Sequence, residues 1–183
     1  MAESSKKSRI PYRTGDIFAI PLGTEYGYAY CRHLDGALVE FFELTSPEIL
    51  PADSVLHAGI AFAVLVMDKS FLSGAWPKIG STEAVPKASP VFFKQDPISK
   101  QLSLYQAGRE RSATLAECEG LENAAVWSAN HIEDRLRDHF AGCPNKWVQS
   151  LKPKEQQRTN SAGHLERGRT EGDDELRGTG TTN

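Results

Sequence analysis

The chain has 183 residues, 39% hydrophobic and 25% charged, the balance of an ordinary globular protein large enough to bury a core. Its longest apolar run, Ile60 to Met67, is far short of the roughly 20 residues of a membrane-spanning helix. No basic start followed by an apolar segment reads as a signal peptide, so a cytoplasmic protein with no membrane partner is expected. The net charge of -3 conceals +3 over residues 1–14, -6 over 15–151 and a balanced remainder. A body of that sign repels nucleic-acid phosphates and attracts a basic protein partner.

In chain order, residues 1–13 are polar and lysine-bearing and are expected to form a disordered arm. Asp16 to Leu22 reads as a short strand with apolar residues on both faces, and Pro21, lacking an amide donor, belongs at an edge or strand end. Tyr26 to Leu34 is a second strand, with Tyr26, Tyr28 and Tyr30 on one face and Gly27, Ala29 and Cys31 on the other. The dipeptide Asp35-Gly36 predicts a two-residue type I′ hairpin leading into a third strand, Ala37 to Leu44. A helical turn is expected after Pro51 or Asp53.

Ile60 to Met67 then predicts a central strand, and Trp76 is held in a Gly/Pro frame that points to burial beside Phe18 or Phe93. After a loop over residues 81–90, two short strands follow at Val91 to Lys94 and Gln101 to Tyr105. Thr114 with Glu117 is a capping-box signature for a short helix stopping before Gly120. Asn130 with Glu133 repeats the device, and Ile132, Leu136 and Phe140 recur on one face of a helix ended by Gly142 and Pro144. Trp127 and Trp147 bracket that helix as anchors. Residues 152–183 have almost no large apolar side chains and are expected to be a disordered tail, leaving one domain over 14–151. The fold class is α+β: a mainly antiparallel, strongly bent sheet or partly open β-barrel with a C-terminal helix packed on it.

Candidate chemistry is sparse. Cys31, Cys118 and Cys143 are odd in number and widely spaced, which supports neither a disulfide framework nor a zinc site. His131 and His139 stand eight residues apart on the helix, unlike the i,i+4 pair of a metal-binding HExxH. His33 and His57 are isolated, with surface or interface placement expected. Gly23 and Gly27 lie in a hairpin and lack a phosphate-loop pattern. The tyrosine face could stack bases or hold a small ligand, but only Arg32 is basic between Gly15 and Phe62, too little to neutralise phosphates. No catalytic residue, cofactor or metal is assigned. Glu133, Asp134 and Asp138 read as a solvated helix face that becomes a docking surface if the partner is basic.

Several separated segments share a pattern: Gly15-Asp16 with Phe18-Ala19-Ile20-Pro21-Leu22, then Tyr26-Gly27, then Trp76 with Ile79-Gly80, then Phe93-Lys94-Gln95-Asp96. Together they resemble the immunity protein 26 family of bacterial polymorphic toxin systems, over about Thr14 to Leu151. The resemblance implies a chain encoded beside a secreted or contact-delivered toxin, which neutralises that toxin by binding and without chemistry of its own. The positions it carries over are Gly15, Phe18, Pro21, Gly27, Trp76, Gly80, Phe93 and Gln95, whose residue types look architectural. Glu133, Asp134 and Asp138 are then the candidate contacts with the cognate toxin.

Overall fold

The computed structural model describes residues 11–87 and 89–154, so the expectations for 1–10 and 155–183 lie outside the described residues. The fold is α+β: the described residues form one sheet of six strands and one of four, with no closed barrel among them. Strands β1 (Asp16–Gly23), β2 (Gly27–His33), β3 (Leu38–Ser46) and β4 (Ile60–Val66) form an antiparallel meander. A short helix, α1 (Ala52–Val55), interrupts it after Pro51, and α2 (Lys69–Leu72) follows β4. Strand β5 (Lys78–Ser81) then returns to pair with β1 on its outer side.

The second sheet begins with β6 (Phe92–Gln95), β7 (Leu102–Gln106) and β8 (Arg109–Ala113), all antiparallel. Helix α3 (Leu115–Cys118) starts at the predicted capping box, with Thr114 and Glu117 bonded reciprocally. Two-residue strands β9 (Glu122–Asn123) and β10 (Val126–Trp127) follow; β9 pairs parallel with β6, and β10 parallel with β4. The passage from β9 to β10 therefore links the two sheets. Helix α4 (Ala129–Phe140) and helix α5 (Lys146–Ser150) complete the described chain.

Strand alternation explains how β1 can be apolar on both faces. Phe18, Ile20 and Leu22 join Ala29, Cys31, Phe41, Val64, Trp76 and Trp127 in a core closed by Ile132 and Leu136 of α4. On the other face Ile17, Ala19, Tyr30 and Phe42 pack with Val55 of α1. The small residues Ala29 and Cys31 are fully buried, because the α4 side of the sheet is where Trp76 and the helix must fit. Burial pushes the Cys31 thiol far above its ordinary range. A third cluster, of Leu34, Leu38 and Phe92, joins the two sheets.

Four details depart from the sequence reading. At the β2–β3 hairpin only Gly36 takes a left-handed φ, of 62°, and the turn closes through Leu38 N to Asp35 O at 3.1 Å and Leu34 N to Leu38 O at 2.8 Å; it is not type I′. β4 is not central, since among the described residues only two-residue β10 lies beyond it, and Ile60 is 46% exposed. The tyrosine row is broken by a register shift at Gly27/Tyr28, which sends Tyr26 to the core under α4 while Tyr28 and Tyr30 face α1. Finally, α4 starts from Ser128, whose hydroxyl donates to Asn130 Oδ1 at 2.6 Å. The expected Asn130–Glu133 box does not form, because Glu133 is held elsewhere.

Candidate functional site

The motif positions sort by what their surroundings require. Gly27 has φ 66°, and a Cβ there would run into the Ser46 carbonyl and Pro47, where the chain crosses back over β2. A Cβ at Gly80 would come within 2.5 Å of the Ala52 Cβ, so bare backbone is what lets β5 lie against α1. Gly15 ties the start of β1 to two neighbours, donating to His33 O at 2.8 Å and accepting from Thr82 N at 2.9 Å. Pro21 is exposed near the end of β1, beyond the reach of β5, where no donor is needed on the open side. Phe18 and Phe93 are each 1% exposed.

Gln95 does something its position does not announce. Its Oε1 accepts from Lys154 N at 3.2 Å, and its Nε2 donates to Lys154 O at 2.7 Å and to Lys100 O at 3.1 Å. One side-chain amide thus holds the β6–β7 turn and the chain beyond α5. At the other end, Tyr12 packs its ring 4.8 Å from His33 and 4.9 Å from Phe71, and Arg13 N donates to Asp16 Oδ2 at 3.0 Å.

Trp76 is 1% exposed, in the same cluster as Phe18. Its ring neighbours are Phe71 at 5.5 Å and Phe41 at 6.4 Å, both edge-on. Its Nε1 donates to Glu133 Oε1 at 3.1 Å. The other two α4 carboxylates are engaged in the same way. Asp134 accepts from Trp147 Nε1 at 3.2 Å and pairs with Arg137 at 3.2 Å. Asp138 Oδ2 accepts from Asn145 Nδ2 at 2.8 Å, and the other end of Asn145 caps α5. All three are partly exposed, so a cation arriving from outside would share each carboxylate with an internal partner.

His131 stacks on Trp147 at 3.7 Å, and His139 Nε2 lies 2.8 Å from Glu43 on β3. His33 is 5% exposed rather than at the surface. Its Nε2 lies 3.0 Å from Gly36 O, and burial lowers its pKa below 6.5 despite the nearby Asp16 and Asp68. Among the described residues no group of three or more His, Cys, Asp or Glu side chains is gathered to hold a metal, and no helix is long and apolar enough to cross a membrane.

Arg135 is not among the residues that the sequence pattern singles out. It is 8% exposed and grips Glu122 with two bonds, of 3.1 and 2.6 Å. Its guanidinium also lies 3.8 Å from the Phe62 ring centroid and 5.1 Å from that of Trp127. The signal was its place on the apolar stripe, three residues after Ile132. Arg32 was weighed as a phosphate ligand, but it pairs with Glu40 directly across the β2–β3 ladder and donates to Ala84 O at 3.2 Å. The result is a rigid surface of paired charges around α4, locked to both sheets.

Residues 13–104 match the family model described as Immunity protein 26. That span includes every motif position named above and ends within β7, short of the Leu151 that the motif resemblance suggests; α3, α4 and α5 lie beyond it. No curated protein and no solved structure matches the chain.

Proposed function

Because the chain belongs to the immunity protein 26 family, we propose that it protects a toxin-producing bacterium by binding the cognate toxin of a polymorphic toxin system in the cytoplasm and holding it inactive, with no chemistry of its own. The observation that carries this reading is the family match across the whole of the first sheet's meander and into the second sheet. The architecture supports it: the motif residues secure a framework, while α4 and its charged side chains lie outside the matched span. Recognition of different partners needs such a division, because affinity for one toxin must come with rejection of others.

Glu133, Asp134 and Asp138 serve in this proposal as an electrostatic rim, attracting a basic toxin surface while keeping their internal partners. The tyrosine face is a poor rival as a nucleic-acid or small-ligand site. Tyr30 is buried, and its hydroxyl is engaged by Ser46, Glu48 O and Leu50 N, while Arg32 is already neutralised by Glu40. The test is co-expression with the toxin encoded beside the gene. Growth should be restored by this chain and lost without it, and purified toxin should form a stoichiometric complex. Failure of the wild-type chain to rescue growth rejects the immunity reading.

A further inference from the structure

A groove of about 430 Å³ opens between α3, β9 and α5, within the ~300–1,000 Å³ range of ligand clefts. Phe93 contributes to it from the matched part of the chain, and Leu115, Leu121, Trp127, Val148 and Leu151 from the part beyond. Building on the immunity reading, we propose that this groove is the docking slot for the cognate toxin. It takes an extended toxin segment that places an apolar side chain in the groove and a neighbouring lysine or arginine against Glu119.

Three independent features specify that occupant. The first is an unmet donor: Trp127 is 4% exposed, and its indole N–H has no partner among the described residues. Folded proteins rarely leave such a group unpaired; the nitrogen is covered in the free chain, so a carbonyl of an inserted segment would satisfy it once the groove parts over the indole. The second is a strand edge left open among the described residues. β9 ends its sheet there, and Ala124 N donates to Phe93 O at 2.9 Å, so strand alternation turns the backbone N–H and C=O of Asn123 away from β6. An extended peptide pairs with such an edge while its alternate side chains enter pockets.

The third is charge. From Leu115 to Trp127 the chain has three glutamates and no lysine or arginine. Glu117 pairs with Arg111 at 2.8 Å and Glu122 with Arg135 at 2.6 Å, which leaves Glu119 as the carboxylate on that wall without an ion pair among the described residues. Lys152 lines the opposite wall, so the incoming cation is directed to the Glu119 side. An apolar anchor beside a basic residue also suits the -6 body of residues 15–151.

The experiment uses the full chain labelled with ¹⁵N and an inactivated form of the toxin domain encoded beside its gene. Three indole N–H resonances are expected, and the Trp127→Phe variant assigns one. On binding, the Trp127 resonance should move downfield as its proton gains an acceptor. Glu119→Lys, at an exposed side chain, should weaken binding at least tenfold, and Leu121→Lys should do the same by placing a cation inside the slot. Asp53→Lys, within α1 on the other face of the first sheet, should change affinity less than twofold. If Leu121→Lys does not fold, Glu119→Lys and the indole shift decide. Wild-type binding with an unmoved indole and full affinity in Glu119→Lys overturns the groove and leaves the immunity reading standing, whereas absence of wild-type binding overturns both. A Trp127 shift on simple dilution would give the slot to a second copy. A shift in Leu165→Ser without toxin would give it to the chain's own C-terminal segment. Either result overturns the proposal.

Discussion

Trp76 joins the α2 loop, the first sheet and α4 through a single side chain, because its ring fills the core and its N–H meets Glu133. Trp76→Ala should therefore cost about 3–5 kcal/mol, as large-to-small core changes do, read as a shift in urea midpoint at unchanged slope. Trp76→Phe separates the two contributions: it keeps much of the packing and deprives Glu133 of its donor, so a clearly smaller loss is expected. An exposed, interface-only tryptophan would show almost no change in either variant. His33 supplies a second residue-level test. Burial holds its folded pKa below 6.5, so its contribution to stability is complete above that pH. As pH falls below 6.5 the unfolded chain takes up the proton first, and stability drains until the folded-state pKa is passed. Urea midpoints at pH 7.5 and 5.5 should differ less in His33→Gln than in wild type, whatever the substitution costs at either pH.

At the level of elements, α4 is attached to the sheets as much by paired charge as by its apolar stripe. The Arg135 side chain is 9% exposed and that of Glu122 is 31% exposed, and this asymmetry sets the order of effects. Arg135→Met keeps the stem over Phe62 and leaves a carboxylate that water can reach. Its cost should be about 1.5–3 kcal/mol, the scale of hydrogen bonds to charged groups. Glu122→Ala leaves a nearly buried guanidinium without its counter-charge and should cost more, toward the ~3–5 kcal/mol of a broken buried pair. Equal losses in the two variants, measured by chemical denaturation, would contradict that asymmetry. The sequence made α4 legible because Ile132, Leu136 and Phe140 carry a helical period, and it made α3 legible because a capping box is a local device. Strand β8 was hidden: Arg109-Glu110-Arg111-Ser112 has no apolar alternation, and it pairs because Ala107 and Gly108 take φ of 47° and 79°, a two-residue turn that leaves Gln106 opposite Arg109. The type I′ geometry sought at Asp35-Gly36 is thus found at a dipeptide whose first residue rarely adopts it. The Gln95–Lys154 and Arg135–Glu122 contacts were illegible for a related reason, since each joins residues whose proximity only the finished topology creates.

For the whole molecule, the decisive quantity is how the -6 charge of residues 15–151 acts at a distance when so many of its carboxylates are paired at close range. Arg32–Glu40, Lys78–Asp16, Arg135–Glu122 and Arg137–Asp134 neutralise one another locally, but pairing does not remove the excess of acid, which a partner still meets as a negative field beyond contact range. A basic toxin should therefore associate quickly at low salt, and more slowly as ionic strength shortens the screening length from ~30 Å at 0.01 M to ~8 Å at 0.15 M. Dissociation should change much less, because it depends on contacts already formed. Replacing Glu133, Asp134 and Asp138 by lysine together would also remove the acceptors of Trp76, Trp147 and Asn145, confounding steering with stability. The cleaner variant is Asp138→Asn with Asp134→Asn, which keeps oxygen acceptors in place and removes two charges. Stopped-flow association of that variant should be slower and less salt-dependent than wild type, with its thermal midpoint close to the parent's. An association rate independent of both salt and these two charges would show that α4 plays no part in steering the encounter.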